Sequence, residues 1–326
     1  MSLTVRLLCL VVVLASVVRN AHASEPAPDL DDIWDDTPST MFVRGDTLHF
    51  YGEISKADVA PLRSLLQHAS SGLARLEIAS PGGEALSSIA IGEMIRALDL
   101  EVVVVGKGCN SSCANYIFTP ARRRTISSGS LVLWHNSCPS RLPADAFRLK
   151  KMMLTPQDTA SIAVDLKDDE GNPVTDPQKI KEHIEGSIEE LVEYVSDYHA
   201  GHQRIFAGTQ IDDRLICLAD HLELPDGPED GVGYSYTLSP EEMVRFGVCG
   251  VDAPEDYVQR AEAYFAARRT PGTSGGVVHL SDHPEFQPRY GVGHCRYRPS
   301  ASADDGWRAL HAAPGMRSEA GPHPSK

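Results

Sequence analysis

The chain has 326 residues and a net charge of −15. That acidic balance argues against nucleic acid, and against an anionic membrane face, as partner. Both ends differ in composition from the body, so roughly 230 residues remain, enough for one α/β domain with a sizeable core.

Met1–Ala23 reads as an export signal: Arg6 is the positive n-region, Leu7–Val18 an apolar run broken only by Ser16, and Ala21-His22-Ala23 a cleavage pattern. Cleavage after Ala23 predicts a secreted or periplasmic protein. An uncleaved, membrane-anchoring signal is the alternative, although the run is short for a bilayer span. Residues 24–40 are a polar lead-in. The folded domain is expected over 41–270, with an irregular, charged insertion at about 139–178. Residues 271–326, rich in Gly, Pro, Ser and His, bury too little apolar surface to offset ordering entropy and read as a mostly disordered tail, with short local elements at most.

Within the domain, Met41–Ile54 has strand character, interrupted by a Gly-Asp turn. Pro61–His68 is an amphipathic helix. Leu76–Ala79 is a strand running into Ser80-Pro81-Gly82-Gly83, and Glu84–Leu98 is a helix with Leu86, Ile89, Ala90, Met94 and Ile95 at helical spacing. Four consecutive valines, Val102–Val105, suit a strand covered on both faces. Gly106–Ser111 is a loop, Ser112–Phe118 a short helix stopped by Pro120, and Leu131–Trp134 a strand with His135 at its end. Ile180–Phe206 is a long helix, fit for packing on its own domain or for an oligomer contact. Thr237–Val248 holds a helix capped by Ser239, with Pro240 first and Gly247 beyond the last turn. Alternating strands and helices imply an α/β fold with parallel pairing and right-handed crossovers.

Three strand ends thus carry a glycine pair, a serine and a histidine. A serine hydroxyl needs a base within reach and donors for the oxyanion it creates. Ser112 and His135 end neighbouring strands in this reading. The N–H of Cys113, first in the helix, faces a developing oxyanion, and Gly82-Gly83 brings a second amide close because no Cβ blocks it. Arg122-Arg123-Arg124 reads as a solvated turn rather than a phosphate site. Six cysteines follow the signal, and sequence alone does not choose their pairing. Cys109 and Cys113 flank the serines. A disulfide would bracket the loop, but two free thiols packed under the helix are the plainer account. Neither has the serine's register with His135. No paired-cysteine motif supports a metal site, and no metal or cofactor is expected.

The order Ser80–Gly83, valine strand, Gly108–Ser112, the apolar segment Cys113–Ala121, Arg122–Arg124 and Ser130–His135 resembles the Clp protease proteolytic subunit. It resembles exported proteins of the Clp/crotonase-like superfamily more closely. Ile180–Phe206 is similar to that family's handle helix and Leu238–Val248 to its closing helix, so the likeness spans about Thr47–Asp252. It implies a repeated β-β-α spiral fold with a mostly parallel sheet and flanking helices. By position it implies Ser112 as nucleophile, with Ser111 as the alternative, His135 as general base, and Gly83 and Cys113 as oxyanion donors. The family's acid falls among Asp212, Asp213, Asp220, Asp226 and Asp230, with Asp220 best placed by spacing. The function so implied is an exported serine hydrolase, a peptidase acting through an acyl-enzyme. Its partners would be a peptide or protein substrate, with a second copy of the chain as a further candidate, and neither nucleic acid nor an ATPase. A catalytically inactive binding or assembly scaffold is the alternative. An acyl-CoA enzyme using only the glycine-pair oxyanion hole fits poorly with export.

Overall fold

The computed structural model describes residues 38–69, 72–135, 166–167, 174–222, 224, 235–267, 275–289 and 298–300. The export signal, most of the 139–178 insertion, Cys138 and Cys295 lie outside these residues.

Strands β1 (Thr40–Arg44) and β2 (Thr47–Tyr51) form an antiparallel hairpin, and β2 continues into a parallel set with β3 (Arg75–Ser80) and β4 (Glu101–Asn110). Alternate residues point to one face, so Leu48, Phe50, Leu76, Ile78, Val102 and Val104 build a shared core and are essentially inaccessible to solvent. Helix α1 (Lys56–Ala69) follows β2. It starts ahead of Pro61 because the Ser55 N–H and hydroxyl both donate to the Asp58 carboxylate, at 2.7 and 2.9 Å, which nucleates the first turn. Helix α2 (Ala85–Ala97) is capped by Glu84, whose carboxylate accepts the Leu86 and Ser87 N–H groups.

β4 is longer than the valine run suggests. Val102–Val104 pairs with β5 (Arg124–Ile126), whereas Gly108–Asn110 pairs with β6 (Leu131–His135). Between the halves the register against β3 slips from Ile78↔Val104 to Ser80↔Cys109. The expected loop at Gly106–Ser111 is therefore a strand turning a corner, with Gly106 and Gly108 at positive φ.

Helix α3 (Pro177–Phe206), capped by Asp176, begins three residues before the expected Ile180. Its C-terminal third, through Val195, Tyr198, Gly201, His202, Ile205 and Phe206, is buried and packs on α2, while Leu191 and Tyr194 face outward. A 3₁₀ turn (Asp213–Cys217) leads into the single turn α4 (Leu218–His221). β7 (Ser235–Thr237) pairs antiparallel with β6. Helix α5 (Pro240–Arg245) carries the Ser239–Glu242 capping box, with Pro240 first as the sequence predicts. β8 (Val251–Pro254) lies beside β5 and is followed by α6 (Tyr257–Ala267).

Part of the expected tail belongs to the body. β9 (Gly275–Val277) pairs with β7, and β10 (Arg298–Ser300) with β8. Phe286 is buried against Phe246, and the Arg289 N–H donates to Asp212 at 2.7 Å. The result is a mixed α/β fold with a mostly parallel sheet, the class expected from the sequence. α2 also lies directly on the segment after β4: a Cβ at Gly92 would stand 1.8 Å from the Tyr116 carbonyl oxygen.

Candidate active site

The site forms where β4 and β6 end together. Asn110 is the last residue of β4, and Ser111 follows with φ +54°, in the left-handed region that costs a residue with a side chain about 1–2 kcal/mol. Its N–H donates to the Leu133 carbonyl and its own carbonyl accepts the Asn115 N–H, both at 2.9 Å. The Gly82 Cα lies against its side chain, since a Cβ there would meet Ser111 Cβ at 2.7 Å. In this position the Ser111 hydroxyl is hydrogen-bonded to His135 Nε2.

The expected partner, Ser112, is placed elsewhere. Its side chain is buried, its hydroxyl donates to the Gly83 carbonyl at 3.0 Å, and it accepts from the Ser88 hydroxyl at 2.9 Å. The serine that meets the imidazole is thus the alternative, Ser111. The cause is the extended run of β4: with the strand ending at Asn110, residue 111 makes the sharp turn, and residue 112 already lies in the helical segment with its hydroxyl committed to the glycine loop. Spacing from Gly108 pointed to Ser112, whereas the serine bonded to His135 is one residue earlier. Cys109 and Cys113 carried a usable signal, because Ser111 stands midway between them. They form a disulfide with Cα atoms 5.4 Å apart, which corrects the free-thiol expectation. Cys217 and Cys249 are disulfide-bonded as well.

The glycine pair approaches from the other side. The Ile54 N–H donates to Gly82 O at 2.7 Å and the Glu84 N–H to Ile54 O at 2.8 Å. This parallel bridge uses the peptides flanking Gly83 and leaves Gly83's own N–H and C=O for the opposite side. There the carbonyl takes the Ser112 hydroxyl. Gly83 has φ +137°, and a Cβ would come 2.1 Å from Ile54 O, so only glycine fits. No hydrogen bond among the described residues takes up the Gly83 N–H. The segment after Ser111 makes its first helical bond from Asn115 N–H, so the amides of Ser112 and Cys113 precede it and remain as first-turn donors. Of the expected donors, Gly83 is linked to the segment after Ser111 through the Ser112 hydroxyl, and Cys113 lies two residues beyond Ser111, with the Ser112 amide one residue nearer.

The far end of this segment is closed. Ala114–Phe118 is a π-helical turn, and the Thr119 N–H and hydroxyl both bond to Ala114 O. Arg122 and Arg123 are exposed as expected, but Arg124 is buried, contrary to the solvated-turn reading. Its guanidinium donates to the carbonyls of Phe118, Thr119 and Cys249. Burial pushes it down to about 9, so it keeps its charge at neutral pH. Trp134, beside His135, donates its indole N–H to Thr119 Oγ1 at 3.1 Å and stacks on Tyr236.

Of the candidate acids, Asp212 is fully buried and paired with Arg214 and Arg289, and Asp213 is held by His202 at 3.1 Å. Asp220 is half-buried on α4. The Tyr236 hydroxyl donates to the Leu215 carbonyl and accepts the Leu218 N–H at 3.2 Å, which ties the first residue of α4, the turn that carries Asp220, to the ring that stacks on Trp134. Asp226 and Asp230 lie outside the described residues. Among the described residues, no cluster of three His, Cys, Asp or Glu side chains is placed to hold a metal ion.

No family model and no curated protein matches this chain. Solved structures weakly similar to this chain include a putative enoyl-CoA hydratase/isomerase from Acinetobacter baumannii, 8% identical, with TM-score 0.26 over 52% of this chain and 96% of that one. A membrane-bound stomatin-specific protease is 12% identical, with TM-score 0.29 over 79% and 96%. An enoyl-CoA hydratase from Mycobacterium avium subsp. paratuberculosis is 13% identical, with TM-score 0.25 over 56% and 90%. At these scores the likeness assigns no function.

Proposed function

We propose that the chain is a serine hydrolase of Clp/crotonase-like fold that cleaves peptide bonds through an acyl-enzyme. The observation that carries this reading is the hydrogen bond between Ser111 Oγ and His135 Nε2 beside the Gly82-Gly83 turn. Ser111 Oγ attacks the substrate carbonyl while His135 Nε2 takes its proton. The Gly83 and Ser112 amides receive the oxyanion, so the second donor moves one residue back from Cys113 together with the nucleophile. His135 then protonates the leaving amine as the C–N bond breaks. Water, deprotonated by the same imidazole, hydrolyses the ester and returns the proton to Ser111.

Asp220 enters as the acid that orients the imidazole, on the strength of its place near the elements that anchor β6. Asp220→Asn is expected to lower turnover by about a hundred-fold or more with folding intact; a loss under three-fold removes it from the mechanism. The signal-like N-terminus and the Cys109–Cys113 disulfide both support action in an oxidising, exported location. The acidic surface supports a peptide or protein substrate rather than nucleic acid.

Labelling by a fluorophosphonate probe with peptide mapping tests the core claim. Modification is expected on Ser111, to be abolished by Ser111→Ala and retained by Ser112→Ala. A folded protein that never labels would leave a non-enzymatic scaffold as the better account.

A further inference from the structure

We infer that the Cys109–Cys113 disulfide is the clamp that positions Ser111, and that its reduction by a small dithiol silences the site. This rests on Ser111 being the nucleophile. The bridge joins the end of β4 to the first helical turn across three residues, Asn110, Ser111 and Ser112. Both ends are rigidly seated. Cys109 lies in the sheet, in register with Ser80 on one side and Val132 on the other, and Cys113 is buried at the cap of the π-helical turn.

Ser111 holds the left-handed φ of +54° between these two pins. The competing conformation is specific. With the bridge open, residue 111 can relax into right-handed φ/ψ and extend the helix backward by one residue. Successive helical residues are rotated by about 100°, so the hydroxyl would swing away from His135 Nε2. The glycine loop would be held by Ser112 as before, since that contact involves neither sulfur. Reduction is balanced by the reagent: the dithiol gives up two electrons and two protons and closes its own disulfide, while Cys109 and Cys113 become two thiols. An oxidised dithiol reverses the exchange.

The test follows the fluorophosphonate labelling rate of Ser111 during exposure to dithiothreitol. Each aliquot is labelled first and then alkylated, so that peptide mapping reports which cysteines have been reduced. Loss of labelling is expected to track reduction of Cys109 and Cys113, to reach at least ten-fold, and to be restored by reoxidation. Because Cys217 and Cys249 are also disulfide-bonded, the order of reduction separates their effect. A Cys109→Ala/Cys113→Ala variant, checked by circular dichroism, is expected to label slowly whether or not dithiothreitol is present. Should that variant not fold, the time course decides alone. Labelling that stays at the oxidised rate once Cys109 and Cys113 are reduced overturns the clamp. Oxidised protein that never labels at Ser111 overturns the nucleophile assignment, and the clamp with it.

Discussion

The two ends of the short segment from Ser111 to Thr119 are treated in opposite ways. At the front, Ser111 takes a costly backbone conformation, and the Ser112 and Cys113 amides precede the first helical bond, which Asn115 makes to Ser111. At the back, the Phe118 and Thr119 carbonyls, with that of Cys249, are taken up by the buried Arg124 guanidinium, and Thr119 receives the Trp134 indole. A π-helical turn this short has little stability of its own. Saturating one end allows the other to keep donors in hand for a reacting group. The difference teaches that the front should govern chemistry and the back should govern folding.

The sharpest break of that division would come from Ser111→Ala, which is expected to cost a thousand-fold or more, about 4 kcal/mol of transition-state stabilisation, with an unchanged melting temperature. Hydrolysis of a reporter peptide and a thermal melt on the same sample read both halves. Arg124→Met should do the reverse. Three carbonyls lose their partner, and about 3–5 kcal/mol of stability is expected to go, measured by urea unfolding, while the molecules still folded label at the normal rate. If Arg124→Met slowed labelling as much as it lowered stability, the two ends would not be separable. Ser112→Ala sits between them. Removing the link to Gly83 and Ser88 should cost about 1 kcal/mol in stability and roughly ten-fold in labelling rate.

The smallest effect concerns Asp213. The hydrogen bond from His202 is the largest influence and lowers its carboxyl pKa; burial comes next and opposes it, and the charges of His202 and then Arg289 add to the lowering, so the carboxyl lies below the ordinary aspartate value. A lowered folded value means that the contribution is complete above the ordinary aspartate pKa and fades as pH falls through the lowered one. The melting-temperature gap between the native protein and Asp213→Asn should therefore be present at pH 6 and narrow toward pH 3. A gap that widened on acidification would reverse the assigned sign.

Much of the frame was readable from the chain. The valine strand, the glycine pair closing β3, His135 closing β6 and the Ser239 cap of α5 all follow from periodicity and local hydrogen-bonding chemistry. The choice between adjacent serines was not. It depends on where β4 stops, and a Gly-Lys-Gly corner carries no apolar alternation to mark a strand that continues. Arg124 was misread because charge in a run of three suggests solvent, while its burial depends on carbonyls contributed by Cys249, far along the chain. Within residues 275–289 only short local elements were legible, because their few apolar side chains are spent on distant partners, as Phe286 is on Phe246.

One contact made by an absent atom reaches furthest. The helix descending from the glycine pair touches the turn that follows Ser111 at Gly92, backbone to backbone, with no side chain as cushion. The spacing between the two halves of the site is thereby fixed by the thickness of the main chain itself. A single added methyl group at that crossing would act as a wedge, prising the amide-bearing loop from the hydroxyl it serves without altering any atom a substrate touches.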